Sequence, residues 1–266
     1  MLRCCSEKTH SLSSRNVGVM DEPTLIDVIT EATQALANAA RASGPDEPVP
    51  ATPEWSMAKL VKHTGTTHRW VLAIAATREF ANPGDLDLGL PDDPALYPEW
   101  FEAGAAMLTS TLSDIDPLAD LWSWGVDQHA RFWSRRMAHE TTVHRWDAQS
   151  ALGAQDAIRT DVAIDGIDER LENLTPSMNF NPAGAAALCG TGETVHLHST
   201  DAHGEWLLRF EPEGVSVSRE HAKGDVAVRG PASDLLLYLN GRRELEGLEV
   251  FGDAGVLGAH AAMRSF

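Results

Sequence analysis

The chain has 266 residues, 43% of them apolar, enough to bury the core of one large domain or two ordinary ones, which excludes a disordered protein. No run approaches the roughly 18 uninterrupted apolar residues of a membrane span, which excludes a helical channel or anchored receptor. With 21 Lys and Arg against 39 Asp and Glu, a formal net charge of −18, the surface repels phosphate backbones and anionic headgroups, so neither nucleic acid nor membrane is expected as a partner. Cys4 and Cys5 adjoin and Cys189 stands apart. That is neither a disulfide framework nor a thiolate metal site, and a reducing cytoplasm fits best.

Residues 1–19 carry no helical or strand periodicity and lack the apolar run of a secretory signal, so a disordered tail is predicted. Met20, followed by Asp21-Glu22-Pro23 and a helical pattern, is a candidate initiation site beside Met1. From Thr24 onward Leu25, Ile26, Ile29, Ala32, Leu36 and Ala40 recur at helical spacing until Gly44-Pro45 stops the run. Ser56 offers an N-cap to a second helix with a buried stripe of Met57, Leu60, Val61, Thr64, His68, Val71 and Leu72, and His63 sits within it. A loop rich in Pro, Gly and Asp over 82–94 precedes a third helix over 97–112. The stretch 126–152 contains neither Pro nor Gly and closes on Gly153, the stop expected just past a fourth helix. A fifth helix is predicted over 160–174.

Beyond Pro176 the texture changes. Residues 179–194 are rich in small residues, Asn, Pro and Gly and read as a linker. Apolar residues then recur with period two in Val195-His196-Leu197-His198, Trp206 to Phe210, Val215-Ser216-Val217 and Val226-Ala227-Val228, which predicts short strands. Gly230-Pro231 opens a helix over 232–239, and a last short helix follows Gly255. The predicted architecture is an all-α four-helix bundle over 20–178, the linker over 179–194 and a small α+β domain over 195–266.

The fourth helix carries His139-Glu140-Thr141-Thr142-Val143-His144. A zincin helix needs histidines four apart, and His139 and His144, five apart, diverge by about 140° around the axis. Glu140 and His144 are four apart, so their side chains stack on one face and can share a metal, with the third ligand supplied by another helix. His63 is available on the second helix, and two nitrogens with one carboxylate suit zinc with an open position. The competing reading is an ordinary Glu–His surface pair and an unrelated helical histidine.

Three stretches carry a resemblance: Thr52-Pro53-Glu54-Trp55-Ser56-Met57-Ala58-Lys59-Leu60-Val61-Lys62-His63; His139 through His144 continued by Arg145-Trp146-Asp147-Ala148; and Gly230-Pro231-Ala232-Ser233-Asp234-Leu235-Leu236-Leu237 running on through Gly241-Arg242 to Gly252-Asp253. Together they resemble the mycothiol-dependent maleylpyruvate isomerase family, and the likeness extends over nearly everything from Met20 onward. It implies a DinB-like four-helix bundle holding zinc, or another divalent metal, on His63, Glu140 and His144, followed by a sterol-carrier-like domain. It implies mycothiol as cosubstrate and an electrophilic small molecule as substrate. Arg242 resembles a residue that serves catalysis by reaching toward the metal site and holding anionic ligands.

Other candidates are weaker. His196 and His198 share one strand face, with Asp201 and His203 near, which allows either a second metal site or the polar outer face of a half-exposed strand. Trp70, Trp122, Trp124, Trp133 and Trp146 serve either a substrate pocket or the core. Asp147, three residues after His144, is placed to orient an imidazole or to pair in solvent. Cys189 has no basic neighbour to activate it and reads as structural. The expected function is therefore a cytoplasmic zinc- and mycothiol-dependent isomerase or thiol S-transferase. The alternatives are a hydrolase using metal-activated water and a non-catalytic small-molecule or lipid-binding protein.

Overall fold

The computed structural model describes residues 20–264, so the tail expected over 1–19 lies outside the described residues. These residues form two compact units, one ending at Ile158 and the other beginning at Arg159.

The first unit is the bundle. Helix α1 (Glu22–Ser43) starts where the Asp21 side chain accepts from Thr24 N at 3.0 Å, with Pro23 in the first turn, and ends at Gly44, whose φ is +85°. Both features are helix boundaries by their own chemistry, a capped N–H and a positive-φ stop that glycine adopts without a Cβ clash. Helix α2 (Met57–Thr77) is capped by Ser56, and α3 spans Tyr97–Ser113. Helix α4 runs Ala130–Ser150, four residues short of the expected start. The reason is local: Gln128 turns back to hydrogen-bond Ser123 and the Gly125 carbonyl, and Asp120 and His129 form an isolated antiparallel bridge, which holds 126–129 extended. Gly153, at φ +61°, stops the chain as expected.

Around the bundle the neighbours run α1, α3, α2, α4 and back to α1. Leu36, Ala37, Ala40, Met57, Leu60, Val61, Phe101 and Ala148 close one core cluster. This arrangement sets α2 beside α4, the two helices that carry His63, Glu140 and His144.

The second unit begins earlier than the predicted boundary at 178. Helix α5 (Thr160–Glu172) packs on the later helix α8 (Ala232–Leu239), so the fifth predicted helix belongs here. The expected linker over 179–194 also belongs to this unit. It holds α7 (Pro182–Ala187), preceded by the single turn α6 (Leu174–Ser177), and its backbone joins the sheet through Gly190 N to Glu211 O at 2.9 Å and Gly192 N to Phe210 O at 2.8 Å.

The five-stranded sheet comprises β1 (Thr194–Ser199), β2 (Glu205–Glu211), β3 (Gly214–Ser218), β4 (Val226–Gly230) and β5 (Glu249–Gly252), in the order β3-β2-β1-β4-β5. The central β1 is antiparallel to β2 and parallel to β4. Pairing of Leu197 with Trp206 and Val228, and of Val195 with Leu208 and Val226, collects one fully apolar face, because side chains alternate along each strand. His196 and His198 are left on the opposite face. Strand β5 escaped the sequence reading, and α9 (Gly255–Ala259) follows where the last short helix is predicted.

Candidate metal centre

The Ser56 cap fixes the phase of α2 so that Leu60, Val61, Thr64 and His68 are buried and His63 falls at the rim, its side chain 42% exposed. Across from it, α4 sets Glu140 and His144 one turn apart, as the spacing requires. Glu140 Oε1 lies 3.3 Å from His63 Nε2 and 3.1 Å from His144 Nε2, and its Oε2 accepts from Arg136 at 3.0 Å. His144 Nδ1 lies 2.8 Å from Oδ2 of Asp147, which is fully buried. An ionised carboxylate only accepts, so Nδ1 donates, and in the neutral ring Nε2 turns a lone pair toward the Glu140 oxygen.

Two acceptors face one another at that point, and a positive charge has to lie between them. A proton can supply it: burial alone would lower the His144 pKa, but the charge of Glu140 and the hydrogen bonds to Asp147 and Glu140 carry it up to about 9. For Glu140 burial works upward, and it is outweighed by His144, the His63 hydrogen bond and the Arg136 charge, which hold the carboxyl well below the usual range. A metal cation can supply the same charge. The donor atoms of His63, Glu140 and His144 all lie within 4.8 Å of one another, and an N₂O set of this kind matches the ligand preferences of zinc.

Sequence reasoning placed these three residues and Asp147 where the structure brings them together. His139, 2% exposed, is not a member of the group. Two neighbours were missed. The Trp55 ring centroid lies 4.7 Å from that of His63 and 5.8 Å from that of His144, roofing both imidazoles, and Arg136 holds the second carboxylate oxygen. Arg136 lies one turn before Glu140 and was legible as an i,i+4 pair. Trp55 was not, since it reaches the site through a loop closed by the Pro48–Ser56 bridge.

Other candidates resolve differently. Trp70 and Trp122 both meet Trp133, which is fully buried, and Trp124 packs on Phe132, so these rings build core rather than surround the His–Glu group. Arg242 follows α8 in the second unit, half-buried, its guanidinium donating to Asn240 O at 2.8 Å. Asp201 accepts from Ala232 N and Ser199 Oγ, both at 2.9 Å, and so serves the start of α8 rather than the strand histidines. Cys189 Sγ lies 3.9 Å from Ala185 O, in line with a structural role.

A DinB-like helical bundle followed by an α+β domain with a five-stranded sheet is the class that these elements define. Two family models match the chain, the mycothiol maleylpyruvate isomerase N-terminal domain over residues 26–149 and the MDMPI C-terminal domain over residues 161–259. The chain belongs to the mycothiol-dependent maleylpyruvate isomerase family. Among solved structures it is similar to a crystal structure of the mycothiol-dependent maleylpyruvate isomerase, at 14% identity and TM-score 0.59, covering 87% of this chain and 93% of that one. A histidine-to-alanine mutant of that enzyme matches at 13% identity and TM-score 0.62, with the same coverage. At such identity these likenesses establish the fold. No curated protein sequence matches the chain. Among the described residues no helix is long and apolar enough to cross a membrane.

Proposed function

We propose that this chain is a zinc- and thiol-dependent isomerase acting on a carboxylate-bearing electrophile of the maleylpyruvate type, with mycothiol as cosubstrate. The observation that carries this reading is the convergence of two imidazole nitrogens on one oxygen of a half-buried glutamate. Family membership supports the thiol and the substrate class. A reducing cytoplasm, where a free thiol persists, is the compartment that suits it.

His63, Glu140 and His144 would hold the metal. A zinc ion in this N₂O set supplies Lewis acidity that lowers a thiol's pKa, so that thiolate is present at neutral pH. Asp147 fixes the His144 tautomer so that Nε2 presents its lone pair, and Arg136 fixes the rotamer of Glu140 through the other carboxylate oxygen. Trp55 packs against both imidazoles, and His144 is buried while His63 keeps an exposed edge at the rim. The thiolate sulfur adds to one carbon of the cis double bond, and the π pair moves onto the adjoining carbonyl as an enolate. Rotation follows about what is now a single bond. The enolate then re-forms the double bond as the carbon–sulfur bond breaks, returning the thiolate with no net change in protons or electrons.

Arg242 is proposed to bind a carboxylate of thiol or substrate. The family resemblance motivates this, and so does charge: a chain of net charge −18 opposes the approach of anions, so a local cation is needed. Replacing Arg242 by Gln is expected to raise KM for the anionic ligand ~10-fold or more, since a hydrogen bond to a charged group is worth ~1.5–3 kcal/mol, and to leave metal content unchanged. Arg242→Lys recovers part of the loss because it keeps the charge but not the planar fork. An unchanged KM in Arg242→Gln removes the residue from the site. The reading as a whole is tested by assaying metal-loaded protein against a panel of carboxylate-bearing cis-alkenes with mycothiol present. Formation of the trans isomer supports it, and hydrolysis without thiol refutes it.

A further inference from the structure

The second unit contains another group of metal-ligating side chains, formed by residues distant in sequence. On β1, His196 and His198 project from the face opposite the apolar one, because they alternate with Val195 and Leu197. The register pairs His198 directly with Glu205 of β2, so the carboxylate falls on the same face. Glu205 Oε2 lies 3.2 Å from His196 Nε2 and Oε1 lies 3.1 Å from His198 Nδ1. His221, on the segment between β3 and β4, contacts the same Glu205 Oε2 through its Nδ1.

That segment is held in place at both ends. Arg219 donates to His203 O at 3.3 Å, and Asp225 exchanges hydrogen bonds with Thr194, through Thr194 N at 2.8 Å and Asp225 N at 2.9 Å. Gly224 lets it lie flat on β1, since a Cβ there would stand 3.0 Å from His196 N and 2.7 Å from Val226 O. The result is four side chains, three imidazoles and one carboxylate, each with a donor atom within 4.8 Å of the others.

We propose that His196, His198, Glu205 and His221 form a second binding site for a zinc-class divalent cation, separate from the one on the bundle. Three nitrogens and one oxygen are a borderline donor set suited to zinc and its late first-row neighbours rather than to magnesium or calcium. Four protein donors fill a tetrahedral zinc, which makes this a closed, structural site rather than a reactive one. Its consequence is mechanical. The ion would clamp the exposed His221, 79% accessible at its side chain, and thereby the 219–225 segment onto strands β1 and β2.

The proposal does not rest on the thiol chemistry, and zinc titration of the full-length protein with defined variants separates the two. His144→Ala protein is expected to retain one equivalent of zinc, and a double variant carrying His198→Ala and His221→Ala is expected to lose one equivalent relative to the parent. Both altered side chains in the double variant have solvent access, so the fold should survive, and its circular dichroism is checked beside the parent's. The single His221→Ala change should weaken this site by at least the ~10–100-fold that loss of an outer-shell partner costs, since a direct ligand is removed. Added zinc should slow amide exchange over 219–225 in the parent and not in His221→Ala. A His144→Ala protein that binds no zinc, or a double variant that binds as much as the parent, overturns the proposal and leaves Glu205 as a carboxylate in contact with three imidazoles.

Discussion

Replacing His144 or Glu140 by alanine is expected to abolish metal binding at the bundle, whereas replacing His139 is expected to leave it intact. Glu140 and His144 stack one turn apart and meet His63 at a single carboxylate oxygen, while residue 139 lies about 100° around the helix from 140 and its imidazole is buried outside the group. Either alanine removes a donor outright, leaving at most two protein ligands for an ion that holds three even in open sites. Metal content by elemental analysis after dialysis reads the result, with His198→Ala and His221→Ala in the background so that one site alone is counted. Thiol-dependent turnover should be lost with the metal. If His139→Ala were the change that emptied the site and His144→Ala left it filled, the ligand set would be wrong and a zincin-like arrangement would replace it.

Acid is expected to destabilise the fold through His68. His68 is fully buried between α2 and α4, its Nε2 at 2.9 Å from Thr141 Oγ1 and its ring against Phe101. Burial holds its pKa down at about 3, with the charges of Arg69 and His144 adding to it and Glu140 opposing. The unfolded chain protonates this histidine near 6.5, so between those two values the unfolded state binds the extra proton. The contribution to stability is therefore whole above pH 6.5 and lost as pH falls toward 3, at about 1.4 kcal/mol per pH unit and up to about 5 kcal/mol in all. His68→Gln keeps a group able to hydrogen-bond Thr141 and does not titrate. Urea unfolding at a series of pH values should show the parent losing stability between pH 6 and 4 more steeply than His68→Gln by about that slope. Parallel curves would show that His68 is protonated in the folded state.

Much of the bundle was legible because helices announce their own limits. Asp21 and Ser56 as caps, Gly44 and Gly153 as stops, and the apolar stripe of α2 are local signals, and each survives into the structure. The i,i+4 rule likewise put Glu140 and His144 on one face. What was missed depends on contacts made at a distance. The start of α4 is displaced by the Gln128 side chain and a bridge to Asp120, neither visible as periodicity. Strand β5 is an exposed edge strand whose partner β4 determines it, and its four residues do not alternate. The boundary near 178 followed composition, yet α5 is drawn into the second unit by α8, sixty residues on. Asp201 and His203 were the neighbours expected for the strand histidines, while cross-strand register and the returning 219–225 segment bring Glu205 and His221 instead. Pairing of this kind is set by the sheet as a whole, and a single strand does not contain it.

One metal site on the bundle is proposed to serve a reaction that needs a thiol. It is tested most directly by measuring cis-to-trans conversion of maleylpyruvate by stripped and zinc-reloaded protein, each with and without mycothiol. Turnover is expected in the reloaded sample with thiol, and background rates in the other three. Equal turnover without thiol would remove the cosubstrate from the reaction, and full turnover by the stripped protein would remove the metal.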